Sequence, residues 1–209
     1  MQNNRVQDLG WSFNQIDNLI KQSYDCQNPS LVIYAALESR NIIERIEFES
    51  IVMSANSSFS IEDFENIKKR LGIQKANNKF NTLKYRYQLF AESFSKAVKP
   101  DLNVKSYDFK KAEEIKRNLS QYLHIYSRTN EELEFNSKFI QDGYHIIQSA
   151  IDFLKNFLQK DINGFYFVIV DFMTLAEPMK NEFQSWLSCN EENNEKLTER
   201  LINIVNNAN

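Results

Sequence analysis

Apolar side chains recur three or four residues apart along most of this chain, the spacing of an α-helix that buries one face. Val6, Leu9, Phe13, Ile16, Leu19 and Ile20 predict a first helix over residues 6–25, and Asp25 to Pro29 ends it. Asn28-Pro29 has the form of an N-cap followed by proline at the first helical position. It predicts a second helix to about Ala55, with Val32, Ala35, Ala36, Ile42, Ile43, Ile46 and Ile51 as its stripe. Ser60, followed by Glu62 and Asp63, reads as the cap and acidic first turn of a third helix, and Gly72 as its stop. A fourth helix is expected from about Asn78 to Val98, with Phe80, Leu83, Tyr87, Phe90 and Phe94 inward and Pro100 just past its end.

Asp108 is the expected cap of a fifth helix that runs through Ala112, Ile115, Leu119, Tyr122 and Leu123 to about Tyr126. A sixth is expected from Glu131 to about Lys160, its stripe including Phe135, Phe139, Ile147, Ile151 and Leu154. The tail is less periodic. Phe165 to Leu175 is apolar all round; a lone strand lacks a comparable partner, so a buried helix or a subunit contact is expected. Pro178 interrupts that segment, and Glu191, Glu192, Glu195 and Glu199 lead into a last helix near Leu197 to Val205.

The pattern therefore predicts an all-α fold, a multi-helix bundle of long antiparallel helices. Residues 1–162 form its main helical domain and 163–209 a helical C-terminal extension packed on it. Four glycines and three prolines in 209 residues leave few places for tight turns. The longest apolar run, Phe165 to Val170, is too short to cross a bilayer, and the N-terminus has no secretory hydrophobic region. Cys26 and Cys189 have neither disulfide nor metal spacing, which fits a reducing cytoplasm.

Charge and chemistry narrow the functional classes. A net charge of −3 argues against a constitutive nucleic-acid coat, although not against a nuclease that must release its product. That charge is unevenly spread. From Asn66 to Ala91 there are seven basic residues and no acid. Lys68, Lys69, Arg70, Lys84 and Arg86, interleaved with Tyr85 and Tyr87, are candidates for a phosphate-tracking surface, beside the plainer reading of a solvated helix face. Arg40 and Glu44 are spaced for an ion pair, either an ordinary surface pair or a buried one fixing a neighbouring site. The glycines are too scattered for a phosphate loop or a dinucleotide fingerprint. Two histidines and two distant cysteines cannot make the usual zinc sites, so neither metal nor cofactor is expected.

What remains is the stretch Arg117 to Tyr126. Seven residues turn an α-helix through about 700°, so Arg117 and His124 would share a face if the helix were continuous. A permanent cation beside a group that titrates near neutrality suits phosphodiester chemistry. Arg117-Asn118 followed by His124 after six residues resembles the HEPN superfamily. These are small all-α proteins defined by an arginine, commonly followed by a polar residue, and a histidine four to six residues further on. His124-Ile125-Tyr126 also resembles the histidine, any residue, tyrosine ending of some HEPN toxins. The likeness is loose over residues 29–160 and specific only at the motif.

The resemblance implies a HEPN-like fold and a metal-independent endoribonuclease working as a homodimer, with the two motifs facing one cleft. Arg117, Asn118 and His124 would be its catalytic residues and Tyr126 an accessory residue or modification target. RNA would be the substrate, and an antitoxin or antiphage-defence partner would restrain the enzyme. The alternative is a catalytically inactive HEPN-like module that contacts a partner protein or nucleotide. A third reading is plainer: His124 packs beside Leu123, and Arg117 pairs with Glu113 or Glu114 on the surface.

Overall fold

The computed structural model describes residues 9–54, 61–101, 105–161, 164–166, 170–189 and 193–208. Helix dominates them, and the fold is all-α. Eight helices are present among the described residues: α1 (Leu9–Asp25), α2 (Pro29–Ser54), α3 (Ile61–Leu71), α4 (Ile73–Val98), α5 (Phe109–Ser120), α6 (Lys138–Phe157), α7 (Glu177–Ser188) and α8 (Asn194–Ala208). The capping chemistry explains several boundaries. Asn28 Oδ1 accepts the Ser30 N–H at 3.0 Å ahead of α2, and Asp108 accepts the Lys111 N–H at 2.9 Å ahead of α5. Gly72, at φ +79°, turns the chain between α3 and α4, a conformation that L side chains rarely adopt. Val6 and Ser60 lie outside the described residues.

The chain forms two compact units, and neither is continuous: Met1–Arg45 with Asp108–Phe167, and Ile46–Tyr107 with Val168–Asn209. Expected boundaries at 162/163 follow chain order, whereas these units are each closed by segments distant in sequence. The long helix α2 supplies its first part to one unit and its last part to the other.

In the first unit, Phe13, Ile16, Val32, Ile43, Leu119 and Ile147 are among the buried residues. The hydroxyls of Ser23 on α1 and Tyr144 on α6 are 2.7 Å apart and hydrogen-bonded, and Tyr24 stacks on Tyr144 at 4.4 Å. In the second unit, Phe90 meets Phe183 edge-on at 4.6 Å, and Trp186 is fully buried. The Tyr87 hydroxyl takes the Val170 N–H at 2.9 Å. Burial pushes that phenol well above its ordinary pKa.

Several boundaries differ from the periodicity. α4 starts at Ile73 rather than Asn78. α6 starts at Lys138 rather than Glu131, because two side chains capture the preceding backbone. The Glu132 carboxylate accepts the Thr129 N–H at 3.0 Å, and Ser137 accepts the Ile140 N–H at 3.2 Å as the true cap. The segment after α6 is an antiparallel hairpin, β1 (Gln159–Asp161) with β2 (Gly164–Tyr166), pairing Gln159 with Tyr166. The strand's partner was hidden in the polar residues expected to end the sixth helix. A 3₁₀ turn follows at Phe172–Thr174, so the described part of the apolar tail contains no buried helix; residues 167–169 lie outside the described residues. Pro178 sits in the first turn of α7, where its missing N–H costs nothing, and begins a helix rather than interrupting one. The last helix, α8, begins at Asn194, three residues before the expected start.

Candidate functional site

Helix α5 buries Ala112, Ile115 and Leu119 along one side, which sends Arg117 to the opposite side, exposed at the last turn. The neighbouring acids are already engaged. Glu113 takes Lys116 at 2.6 Å and Glu114 takes Lys111 at 3.3 Å. Among the described residues Arg117 has neither an ion pair nor a hydrogen bond through its side chain, so the simple surface pairing is not what it does. Asn118 is half-buried, and its carbonyl accepts the Gln121 N–H at 3.3 Å.

The helix does not reach His124. The amides of Gln121, Tyr122 and Leu123 reach back only three residues, to Asn118, Leu119 and Ser120, the tightened bonding of a helix that is closing. Ser120 reinforces the end: its hydroxyl donates to the Lys116 carbonyl at 2.6 Å and accepts from Arg40 Nη1 at 2.7 Å. Arg40 also pairs with Glu44 at 2.7 Å. This pair is partly exposed rather than buried, yet it does hold the end of the motif helix. His124 then opens a 3₁₀ turn over Ile125–Ser127, closed by the Arg128 N–H on the Ile125 carbonyl at 2.9 Å. Arg117 and His124 therefore do not share a continuous helical face.

Tyr122 anchors this departure. It is fully buried, its hydroxyl donates to the Phe139 carbonyl at 3.0 Å, and its ring stacks on Phe139 at 4.5 Å. Gly143 leaves the space: a Cβ there would lie 2.9 Å from both Tyr122 Cε1 and Val32 Cγ1. Burial pushes the Tyr122 phenol up to about 12. On the far side, the Arg128 guanidinium lies 4.3 Å from the Phe139 ring centroid and pairs with Glu132 at 3.0 Å. The Thr129 N–H and Arg128 hold the Glu132 carboxyl below its usual range.

Between these anchors His124 and Tyr126 face solvent. Tyr126 is 87% exposed, and the two rings meet near-perpendicularly with centroids 6.1 Å apart. His124 is not a packing residue. One stretch thus presents a free guanidinium, an imidazole and an open phenol, a set that can bind an anion, exchange a proton and contact a flat ring.

The basic run of α3 and α4 separates into two groups. Lys69 and Arg70 are exposed, and Lys68 pairs with Glu65 at 3.2 Å. Lys84 and Arg86 are buried, so neither can track phosphate. Lys84 Nζ lies 2.7 Å from Glu47 Oε2, and the Tyr107 hydroxyl donates to Glu47 Oε1 at 3.3 Å. Arg86 donates through Nε to the Trp186 carbonyl at 2.6 Å, contacts Cys189 Sγ at 3.0 Å and lies 4.2 Å from the Trp186 ring centroid. Glu47 is the partner that the pattern overlooked. Its signal was there: a carboxylate one residue after Ile46 and four before Ile51, inside the apolar stripe of α2.

No group of three or more histidine, cysteine or acidic residues able to hold a metal ion occurs among the described residues. No described helix is long and apolar enough to cross a membrane. No protein-family model, curated protein or solved structure matches this chain.

Proposed function

We propose that this chain cleaves RNA as a metal-independent endoribonuclease of HEPN type, using Arg117, Asn118 and His124 in a homodimer cleft. One observation carries the reading: Arg117 and His124 are both exposed within one anchored stretch, and no protein group consumes the guanidinium among the described residues. An unengaged cation and an exposed imidazole on one short stretch are the groups an incoming phosphodiester requires, the first to meet its charge and the second to exchange a proton.

In the proposed reaction, the ribose 2′-oxygen attacks the adjacent phosphorus and the bond to the 5′-oxygen breaks, leaving a 2′,3′-cyclic phosphate and a 5′-hydroxyl. His124 exchanges a proton with the attacking 2′-hydroxyl or the departing 5′-oxygen. Arg117 stabilises negative charge growing on the phosphoryl oxygens. Asn118 orients one of these groups by hydrogen bonding. A second copy supplies the other proton-transfer group, a need made sharper by the break between Arg117 and His124. Lys68, Lys69 and Arg70 provide a separate basic surface for RNA; Lys84 and Arg86 do not contribute. The biological setting we propose is a toxin–antitoxin or antiphage system, in which a partner protein reaches the exposed Tyr126.

The test is RNA cleavage by the wild-type chain and by Arg117→Ala and His124→Ala, each with and without EDTA. The reading predicts chelator-resistant cleavage, cyclic-phosphate ends and loss in both variants; activity surviving both changes assigns catalysis elsewhere. A second reading draws on the helix end at Ser120. A chain that separates the two groups suits an inactive module that binds RNA or a partner without cleaving it. Binding without cleavage, unchanged by His124→Ala, would favour that module.

A further inference from the structure

We propose that Tyr126 is a base-stacking residue that makes the site select an unpaired nucleotide; this rests on the RNA-handling reading of Arg117 and His124. Three features of the ring support it. At 87% exposure both faces of the phenol are open, although an aromatic ring ordinarily gains by burial. Its backbone is nonetheless held in place. The 3₁₀ turn that carries it is closed by the Arg128 N–H, the Ser127 hydroxyl donates to the His124 carbonyl at 3.4 Å, and buried Tyr122 fixes the chain just before it. The ring also has an imidazole for a neighbour: His124 lies 6.1 Å away at a steep angle, and the phenol stays 87% exposed despite that contact.

A nucleobase stacked on that open face brings its own ribose and phosphate towards the imidazole. A base inside a duplex is already stacked on both sides and cannot reach the ring without being flipped out. The discrimination is therefore between single and double strands. It depends little on which base is present, since every base offers a π-face. Arg117 plays a different part, meeting charge rather than a ring.

The test measures binding of 2′-O-methyl RNA, which lacks the attacking hydroxyl and so stays intact. Three probes are used: a single strand, its duplex and a single strand with abasic positions. Tyr126→Ala should weaken single-strand binding by about 5- to 150-fold, while Tyr126→Phe retains it. Binding of the abasic strand and the duplex should be the same in all three proteins. The salt dependence should not change in Tyr126→Ala, because every phosphate interaction is kept, but should become shallower in Arg117→Ala. Adenosine monophosphate should not displace the single strand at matched concentration; displacement would make this a free-nucleotide site and overturn the strand selectivity. Equal single-strand affinity in wild type and Tyr126→Ala overturns the stacking role and leaves the Arg117 and His124 reading standing. A Tyr126→Phe loss as large as that of alanine also overturns it, by assigning the effect to the hydroxyl. No binding and no cleavage of any RNA by the wild-type chain overturns both proposals.

Discussion

Two stretches of this chain carry cations that suit a phosphodiester, and the fold treats them oppositely. On α4, Lys84 is four residues after Phe80 and three before Tyr87, within the arc that packs inward. Its charge and that of Arg86 are spent on Glu47 and on the Trp186 carbonyl. On α5, Arg117 lies between the inward positions Ile115 and Leu119 and stays exposed, as does His124 beyond the helix end. Position relative to the apolar stripe, rather than local charge density, decides which cation is available to a ligand. A run of seven basic residues therefore contains fewer usable ones than its count suggests.

The contrast breaks most forcefully at the buried pair. Lys84→Met should strand the Glu47 carboxylate and lower unfolding free energy by about 3–5 kcal/mol, measured by urea denaturation. A cost below about 1 kcal/mol, the range of surface pairs, would return Lys84 to the pool of surface cations. Next is Gly143→Ala, which forces a Cβ against Tyr122 and Val32. It should cost about 1–3 kcal/mol and, by moving the anchor before His124, reduce RNA cleavage as well; lost stability with full activity would detach Tyr122 from the site.

Tyr122→Phe is smaller, about 0.5–1.5 kcal/mol for the bond to the Phe139 carbonyl. The same phenol sets a pH dependence. Its folded pKa, about 12, lies above its ordinary value of 10.0. Its contribution is thus fully present below pH 10 and disappears as pH rises towards 12. Tyr122→Phe should flatten that alkaline loss in denaturation midpoints, and an unchanged alkaline slope would contradict the burial argument. The least disruptive change is Lys69→Glu with Arg70→Glu. Stability should stay within about 0.5 kcal/mol, while RNA affinity falls and its salt slope decreases by roughly 0.7 for each single-strand phosphate no longer neutralised. Unchanged RNA binding would make that corner plain solvated surface.

Much of the fold was legible because helix-forming stripes and caps act locally. Asn28, Gly72 and Asp108 mark real boundaries, and Phe80, Tyr87 and Phe90 are core residues as their spacing implies. The end of α5 was not legible in this way. Leu119, Tyr122 and Leu123 continue a helical stripe in sequence, but the space above Gly143 draws Tyr122 into the core, and Arg40 holds Ser120 from a segment eighty residues away. That interaction is tertiary. The same applies to Glu47 and Lys84, separated by 37 residues, and to the hairpin partner of Gly164–Tyr166, whose polar residues give no strand signal. The candidate residues of the site could be named from the motif, whereas their exposure and the broken helix between them could not.

We propose that the exposed Arg117 and His124, and not the chain's other histidine, carry the chemistry. This proposal is tested most directly by initial rates of RNA cleavage for wild type, His124→Ala and His145→Ala, since His145 is equally a surface residue but sits on α6 outside the motif. Proton transfer by His124 predicts a loss of about 10²- to 10⁴-fold in His124→Ala and an unchanged rate in His145→Ala. Equal rates in wild type and His124→Ala, or a loss confined to His145→Ala, would contradict it.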